Sequence, residues 1–205
     1  IKYMSTSILF KKSNIILLWG IILAVLFTGL SFLIPVQYSA ESQVLIISRD
    51  RTGVDPYTQA KSAERIGENL AQVMKTTDFY KKVLDSNNNF NKNYWKSLKE
   101  KKQRKKWDKD VKATMIFGTG LMDIKAYSKT KQEAVNLSNA VSQVLASRGW
   151  EYIGGDVAMK VVSPPLISNW PTRPNYFLNA GIGFVIGVLI SVLWFLKYRK
   201  KHWLK

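Results

Sequence analysis

Twenty-one consecutive residues without a charge, Tyr176 to Leu196, set the strongest limit on what this chain can fold into. As a helix rising 1.5 Å per residue, such a run is about 30 Å long, the hydrocarbon thickness of a bilayer. Lys197, Arg199, Lys200 and Lys201 follow at once and read as a cytoplasmic stop. Pro164, Pro165, Pro171 and Pro174 come before it. Proline lacks an N–H and fixes φ near about −65°, so residues 164–175 read as a stiff, extended strut, neither helix nor central strand. The expectation is a folded domain held at a set distance from a membrane.

A second uncharged run, Ser13 to Gln37, follows Lys11 and Lys12 and has its apolar centre from Ile15 to Ile34. Leading cations and the small pair Ser39-Ala40 would suit a cleaved signal peptide. The apolar stretch is about 20 residues, however, against roughly 7–15 for a signal core, which favours an anchor. The chain opens on Ile1, which reads either as the edge of a fragment or as lying before a true start at Met4. Flanking cations orient the pair. Val36–Asp50 and Val161–Asn175 hold only Arg49 and Arg173, whereas the termini hold Lys2, Lys11, Lys12 and five cations from Lys197 to Lys205. Both ends are therefore expected in the cytoplasm. The layout is a cytoplasmic N-terminus (1–12), a first span (13–35), a domain outside the membrane (36–163), the proline-rich connector (164–175), a second span (176–196) and a basic tail (197–205). In that tail Trp203 and Leu204 lie beyond the cations, placed to dip into the membrane interface or to dock on a partner.

With the spans removed, one ordinary domain of roughly 140 residues remains, enough for a single core. The chain has no cysteine and one histidine, His202, in the tail. That composition excludes disulfides, thiolate nucleophiles, Cys-type zinc sites and any Ser-His-Asp triad. Neither an enzyme nor a cofactor is expected. Glu64 and Glu68 share a helical face but read as solvated partners of Lys61 and Arg65.

The domain reads as α+β in the order β-α-α-α-β-β-α-β, helices covering one face of a small mixed sheet. Tyr38, Ala40, Val44 and Ile46 alternate on an opening strand. Arg49 to Thr58, with Gly53 and Pro56, reads as loop. Helical spacing of Ala60, Ala63, Ile66, Leu70, Val73 and Met74 follows. Asp78 is a candidate N-cap for a short helix carrying Phe79, Val83 and Leu84. Between Asn91 and Lys112 the cations far outnumber the acids, and Lys101, Lys102 and Lys105 occupy positions that should continue the apolar stripe of Tyr94, Trp95 and Leu98. A helix leaving the core for solvent is expected. Val111, Ala113, Met115 and Phe117 alternate into a Gly118-Thr119-Gly120 turn, and Met122, Ile124 and Ala126 alternate back. Lys129 to Arg148 is amphipathic, with Ala134, Leu137, Val141, Val144 and Leu145 inward and Gly149 past its end. Gly154-Gly155 turns the chain into a last strand, Val157 to Val162.

Three further features bear on partners. Lys101, Lys102, Arg104, Lys105 and Lys106 form a candidate contact for an acidic glycan or lipid headgroups, or simply a solvated face. So strong a basic balance can indicate nucleic acid, but the run lies in the segment assigned outside the membrane, so none is expected. Trp95, Trp107 and Trp150 suit sugar stacking or core packing equally. Gly20, Ala24 and Thr28, and likewise Gly183, Gly187 and Ser191, recur at every fourth position. Small residues at that spacing let helix backbones approach closely, and joining of chain copies within the membrane is expected.

Taken together, an anchor, then Pro35-x-x-Tyr38-x-Ala40 on a strand, resembles the start of Wzz-type polysaccharide chain-length determinants (polysaccharide co-polymerases). The hairpin followed by Glu133-Ala134-x-x-Leu137-x-Asn139-Ala140 on a helix adds to the likeness. So does the strand leading to Pro164-Pro165, Pro171 and Pro174-Asn175 before the second anchor. The resemblance covers nearly the whole chain by layout. With no G-x-x-x-x-G-K-[ST] loop, the chain looks most like short capsule-type membrane adaptors whose tyrosine kinase is a separate polypeptide. The resemblance implies a non-enzymatic cell-membrane protein that self-associates amid membrane lipid and controls the length of a surface polysaccharide. Its implied partners are the polysaccharide polymerase or export machinery, the nascent glycan and, in some systems, the separate kinase. The alternative is a two-span sensory or scaffolding protein with a small ligand-binding outer domain.

Overall fold

A computed structural model describes residues 12–48, 55–154 and 157–202, with side chains as far as Lys197. Expectations resting on Lys2, Lys11, Arg49, Gly53, Gly155, Trp203 and Leu204, or on the side chains of Arg199, Lys200, Lys201, His202 and Lys205, fall outside the described residues. The chain divides into two compact units, one of residues 1–36 and 173–205 and the other of residues 37–172.

The first unit contains helices α1 (Ser13–Ser31) and α7 (Tyr176–His202). Both are long and apolar enough to cross a membrane, α7 over Tyr176–Lys197. They pack side by side. Asn179 Nδ2 donates to Ser31 Oγ at 2.7 Å, Trp19 meets Trp194 edge-on with centroids 6.1 Å apart, and Phe32 stacks on Tyr176 at 5.1 Å.

The second unit is a four-stranded sheet in the order β2-β3-β1-β4, built from β1 (Tyr38–Ser48), β2 (Val111–Met115), β3 (Leu121–Ser128) and β4 (Val157–Ile167). Every pairing is antiparallel, so the sheet is not the mixed one expected. Pairing places Ala40 between Ala126 and Ile167, and Val44 between Met122 and Val161. The candidate cleavage pair Ser39-Ala40 thus lies inside β1. Strand alternation sends Ala40, Ser42, Val44 and Ile46 to the face that also carries Met122, Ile124 and Ala126, all buried. Helix α6 (Lys131–Arg148) lies across β1, β3 and β4 on that face, and α2 (Pro56–Val73) across β1 and β2. Beneath α6 the buried Ser42 and Ser138 hydroxyls satisfy each other at 3.0 Å.

Four helices rather than three separate β1 from β2: α2, α3 (Thr77–Asp85), α4 (Lys92–Lys96) and α5 (Glu100–Asp110). Pro56 does not sit in a loop but opens α2, where a missing N–H costs nothing, and Asp55 caps it by accepting from Thr58 N. Thr76, not Asp78, caps α3 by accepting from Phe79 N. Asp78 serves that first turn as a carboxylate beside Lys82, 3.2 Å away. Thr130 caps α6 in the same way. On α2, Glu64 is buried and pairs with Lys61 at 3.2 Å, while Glu68 is exposed, so the two acids do not share one solvated face.

The connector is not a strut. Strand β4 runs on through Pro164 and Pro165 to Ile167, and Leu166 and Ile167 pair with Glu41 and Ala40. Ser168 N then donates to Ser39 O and Thr172 N to Gln37 O, at 2.9 and 2.8 Å, so the chain leaves this unit beside the point where it enters. Edge position explains the tolerance, since one side of β4 has no ladder to donate to. The register shifts between Glu41 and Gln43 and again between Gln43 and Val44, each by one extra residue on β4. The prolines lie at the first shift.

Phe117 does not continue β2; it lies in the turn region and is exposed. Gly118 takes a positive φ of 72°, as the turn requires. Gly120 is demanded by a close approach instead. A Cβ there would lie 2.5 Å from the Ile46 carbonyl oxygen, which is fixed in the sheet, and Ile46 N also donates to Gly120 O at 2.8 Å. Gly120→Ala is expected to lower unfolding stability by about 1–3 kcal/mol through this overlap. Urea unfolding of the full chain in detergent, followed by circular dichroism, measures it.

Candidate functional site

Helix α5 carries the most unusual chemistry of the second unit, and it stays with the core. Among its eleven residues the only large apolar one is Trp107, which is 1% exposed. Its indole Nε1–H donates to Met74 O at 2.8 Å, and its ring meets Tyr80 and Trp95 with centroids 5.2 and 5.7 Å away. Trp95, on α4, is buried too. Trp95 and Trp107 are therefore core residues, whereas Trp150 is half exposed and donates to Ser147 O. Gln103 Nε2 donates to Trp95 O at 2.9 Å and ties α5 to α4. Burial pushes the Tyr80 phenol above its ordinary range.

The arrangement sorts the five basic candidates into two groups. Lys101, Lys102, Arg104 and Lys105 are exposed. Lys106 instead turns toward the core and contacts Asp110 Oδ2 at 2.6 Å, with its amine 5.4 Å from the Tyr94 ring centroid and 5.7 Å from that of Trp95. Burial works against its charge. The hydrogen bond and field of Asp110 outweigh that cost and hold the ammonium above the ordinary lysine range. Asp110 is almost wholly buried, and its second oxygen, Oδ1, has no hydrogen-bond partner.

These side chains form one wall of a cleft of about 250 Å³. Tyr94, Trp95, Lys106 and Asp110 come from α4 and α5, Gln37 and Tyr127 from the β1–β3 end of the sheet, and Lys129, Thr130, Glu133 and Leu137 from the start of α6. Asn91 knits the rim together. Its N–H donates to Glu133 Oε2 at 3.1 Å, and its side-chain oxygen accepts from Tyr94 N at 3.1 Å, capping α4. Aromatic surface, two amines, two carboxylates and a hydroxyl thus converge on one concavity, the usual composition of a small-molecule site. No sequence signal marked it. Among the described residues no group of three or more His, Cys, Asp or Glu side chains could hold a metal ion.

On the face of the sheet opposite α6, Lys125 contacts Glu41 at 3.1 Å and Gln43 Nε2 donates to Asp123 at 2.8 Å. The hydrogen bond it donates to Glu41 raises the Lys125 amine above its ordinary range despite some burial.

The motif residues scatter over structural roles. Ala40 and Ala134 are buried where α6 meets β1, and Tyr38 lies under the amine of Lys131 at 5.4 Å. Asn139 accepts from Gln143 at 3.2 Å. Pro35 is exposed, Pro165 and Pro171 are half-buried, and Pro174 is buried.

The small-residue rows have a partner within the chain. They face each other across α1 and α7. A Cβ on Gly183 would lie 2.7 Å from Leu23 O and 3.1 Å from Ala24 Cα; one on Gly187 would lie 2.6 Å from Trp19 O and 2.8 Å from Gly20 Cα. Ser191 is buried, and the Thr28 hydroxyl turns back onto Ala24 O at 2.8 Å. The rows thus pack the two helices of one chain together.

No protein-family model matches this chain, and no characterised protein is significantly similar to it in sequence.

Proposed function

We propose that the chain is a non-enzymatic cell-membrane protein that organises polymerisation or export of a surface polysaccharide and sets its chain length. Both termini lie in the cytoplasm and the α+β domain lies outside, among membrane lipid, further copies of the chain, the nascent glycan and the polymerase or export machinery. A separate tyrosine kinase would meet the cytoplasmic tail. What supports this reading is one layout: two membrane-length helices bracketing a single α+β domain whose first and last residues are hydrogen-bonded to each other. The motif residues at the domain's two ends, Tyr38-x-Ala40 and Pro164-Pro165, lie on adjacent strands β1 and β4, with Ala40 paired to Ile167.

Deletion of the gene, followed by sizing of the surface glycan on a gel, tests the function. A shifted length distribution is expected, and an unchanged one overturns the reading. Topology is tested separately. A reporter active only outside the cytoplasm should be silent when fused after Lys205 and active near Gly53; the reverse pattern rejects the orientation. The cleft beside Asp110 is the observation that favours the alternative, a two-span sensor or scaffold with a ligand-binding outer domain. An unchanged glycan together with ligand binding in that cleft would select it.

A further inference from the structure

We infer that the end of the α+β domain through which the chain enters and leaves docks on the lipid surface. Trp170 enters the headgroup layer there, and the cations of α5 and of the start of α6 meet anionic headgroups. The inference rests on the reading that α1 and α7 cross a membrane.

Chain connectivity fixes which end this is. Gln37 is six residues beyond Ser31, and Tyr176 is four beyond Thr172, so at most about 22 and 14 Å of extended chain separate this end from the two helices. Gln37 and Thr172 are themselves hydrogen-bonded. The Gly118-Thr119-Gly120 turn lies beside Ile46 instead, about 27 Å further along β1.

The same end holds an aromatic side chain out into water. Residues 168–172 form a loop pinned at both sides, by Ser168 N on Ser39 O and Thr172 N on Gln37 O. Ser168 Oγ also donates to Trp170 O at 2.7 Å, and the Ser39 and Thr172 hydroxyls share a hydrogen bond of 2.8 Å. Within this fastened loop Trp170 is 81% exposed, and Leu166 just before it is 71% exposed. An indole so placed is favoured in the interface, where its ring leaves water and its N–H stays wet.

Cations reach this end as well. Strand pairing carries Val111 to Ala126 and Ala126 to Ala40, so α5, which stops at Asp110, ends there. The exposed Lys105 and Lys101 lie about 8 and 14 Å of helix before Asp110. Residues 92–112 hold ten Lys or Arg against three acids, and two of those acids, Asp108 and Asp110, are already paired with Lys112 and Lys106. On α6 the Lys131 amine lies 5.4 Å from the Tyr38 ring centroid, and Lys129 is exposed two residues earlier. Charge alone would suit an acidic glycan equally. An exposed indole and leucine decide for lipid, because a bilayer surface offers anionic headgroups and an apolar layer side by side.

The native chain has no cysteine, so one environment-sensitive fluorophore on Asn169→Cys or on Phe117→Cys reads a single site. The full chain is placed in nanodiscs of phosphatidylcholine, with or without phosphatidylglycerol, containing a lipid with a nitroxide quencher on its headgroup. Quenching at 169 should exceed that at 117 roughly threefold or more, and should rise further with phosphatidylglycerol. Trp170→Ala should lower the docked-to-undocked ratio roughly fivefold in both lipids. Replacing Lys101, Lys102, Arg104 and Lys105 together with glutamine should remove most of the gain from phosphatidylglycerol, a loss of roughly tenfold. All five side chains are exposed, so folding is not at stake. Docking is overturned if the two probes are quenched alike, if Trp170→Ala changes nothing, or if the glutamine variant keeps the full gain. It is overturned too if phosphatidylglycerol adds nothing, and binding of polygalacturonate would then reassign the α5 cations to an acidic glycan. Alkaline extraction reads the spans separately. A chain that stays in the membrane pellet with both probes quenched alike refutes docking alone, whereas one that is extracted refutes the spans and docking with them.

Discussion

Replacing Trp107 with alanine will leave the α+β domain at or near the edge of unfolding. The side chain is buried among Tyr80 and Trp95, and its indole N–H is the partner of the Met74 carbonyl. Truncating a buried Trp costs about 3–5 kcal/mol, and stranding a buried carbonyl adds about 1–3 kcal/mol. Small domains hold only about 5–15 kcal/mol in total. The loss therefore takes a large share of what exists, and a fall in melting temperature on the order of 10–20 °C is expected. Trp107→Phe separates the two contributions, since it keeps an aromatic ring in the core but removes the donor; an intermediate loss of about 1–3 kcal/mol should follow. Thermal unfolding of the full chain in detergent, read by near-ultraviolet circular dichroism, measures both. A shift of less than about 3 °C for Trp107→Ala would show that α5 is not tied to the core and that its exposed cations ride on a loose helix.

That helix also shows where reading a sequence succeeds and where it stops. Helix α6 was legible because Ala134, Leu137, Val141, Val144 and Leu145 repeat at the spacing that puts them on one face, and all five are buried. The hairpin of β2 and β3 was legible from alternation about a glycine turn. Helix α5 has no such stripe. Periodicity counts apolar positions, yet burial of one indole, some 150–250 Å², can hold a short helix down without a second apolar residue. The same limit applies to β4. Prolines argue against a central strand, but whether a strand is central or at an edge depends on pairing partners far along the chain. The small-residue rows reveal close packing by their spacing but not what they pack against. The cleft was the least visible feature, because Gln37, Tyr94, Asp110 and Glu133 belong to separate elements and no local pattern links them.

Gly187→Leu will separate α1 from α7 within one chain. In water, apolar helices associate because burial removes apolar surface from solvent; in lipid that drive is absent, and close backbone packing with interhelical hydrogen bonds takes its place. Gly187 lies where backbone meets backbone. A Cβ there would sit 2.6 Å from Trp19 O and 2.8 Å from Gly20 Cα, and neither can rotate aside as a side chain end would. Leucine adds three further carbons beyond that Cβ, so the helices must part or slide. Overpacking of this kind costs about 1–3 kcal/mol, a shift of roughly 5–150-fold in the paired fraction. The native chain has no cysteine, so a reporter pair is clean. Ser31→Cys and Asn179→Cys replace residues already joined by a 2.7 Å hydrogen bond across the two helices. With a short bifunctional thiol reagent in membranes, the double-cysteine chain should form an intramolecular bridge running at monomer size. Adding Gly187→Leu should cut that yield at least fivefold, whereas Gly181→Leu, at a glycine with open space around it, should leave it unchanged. Crosslinks appearing chiefly at dimer size in the parent would mean that the rows join different chains after all. Gly187→Leu would then lower the dimer yield and leave the intrachain bridge untouched.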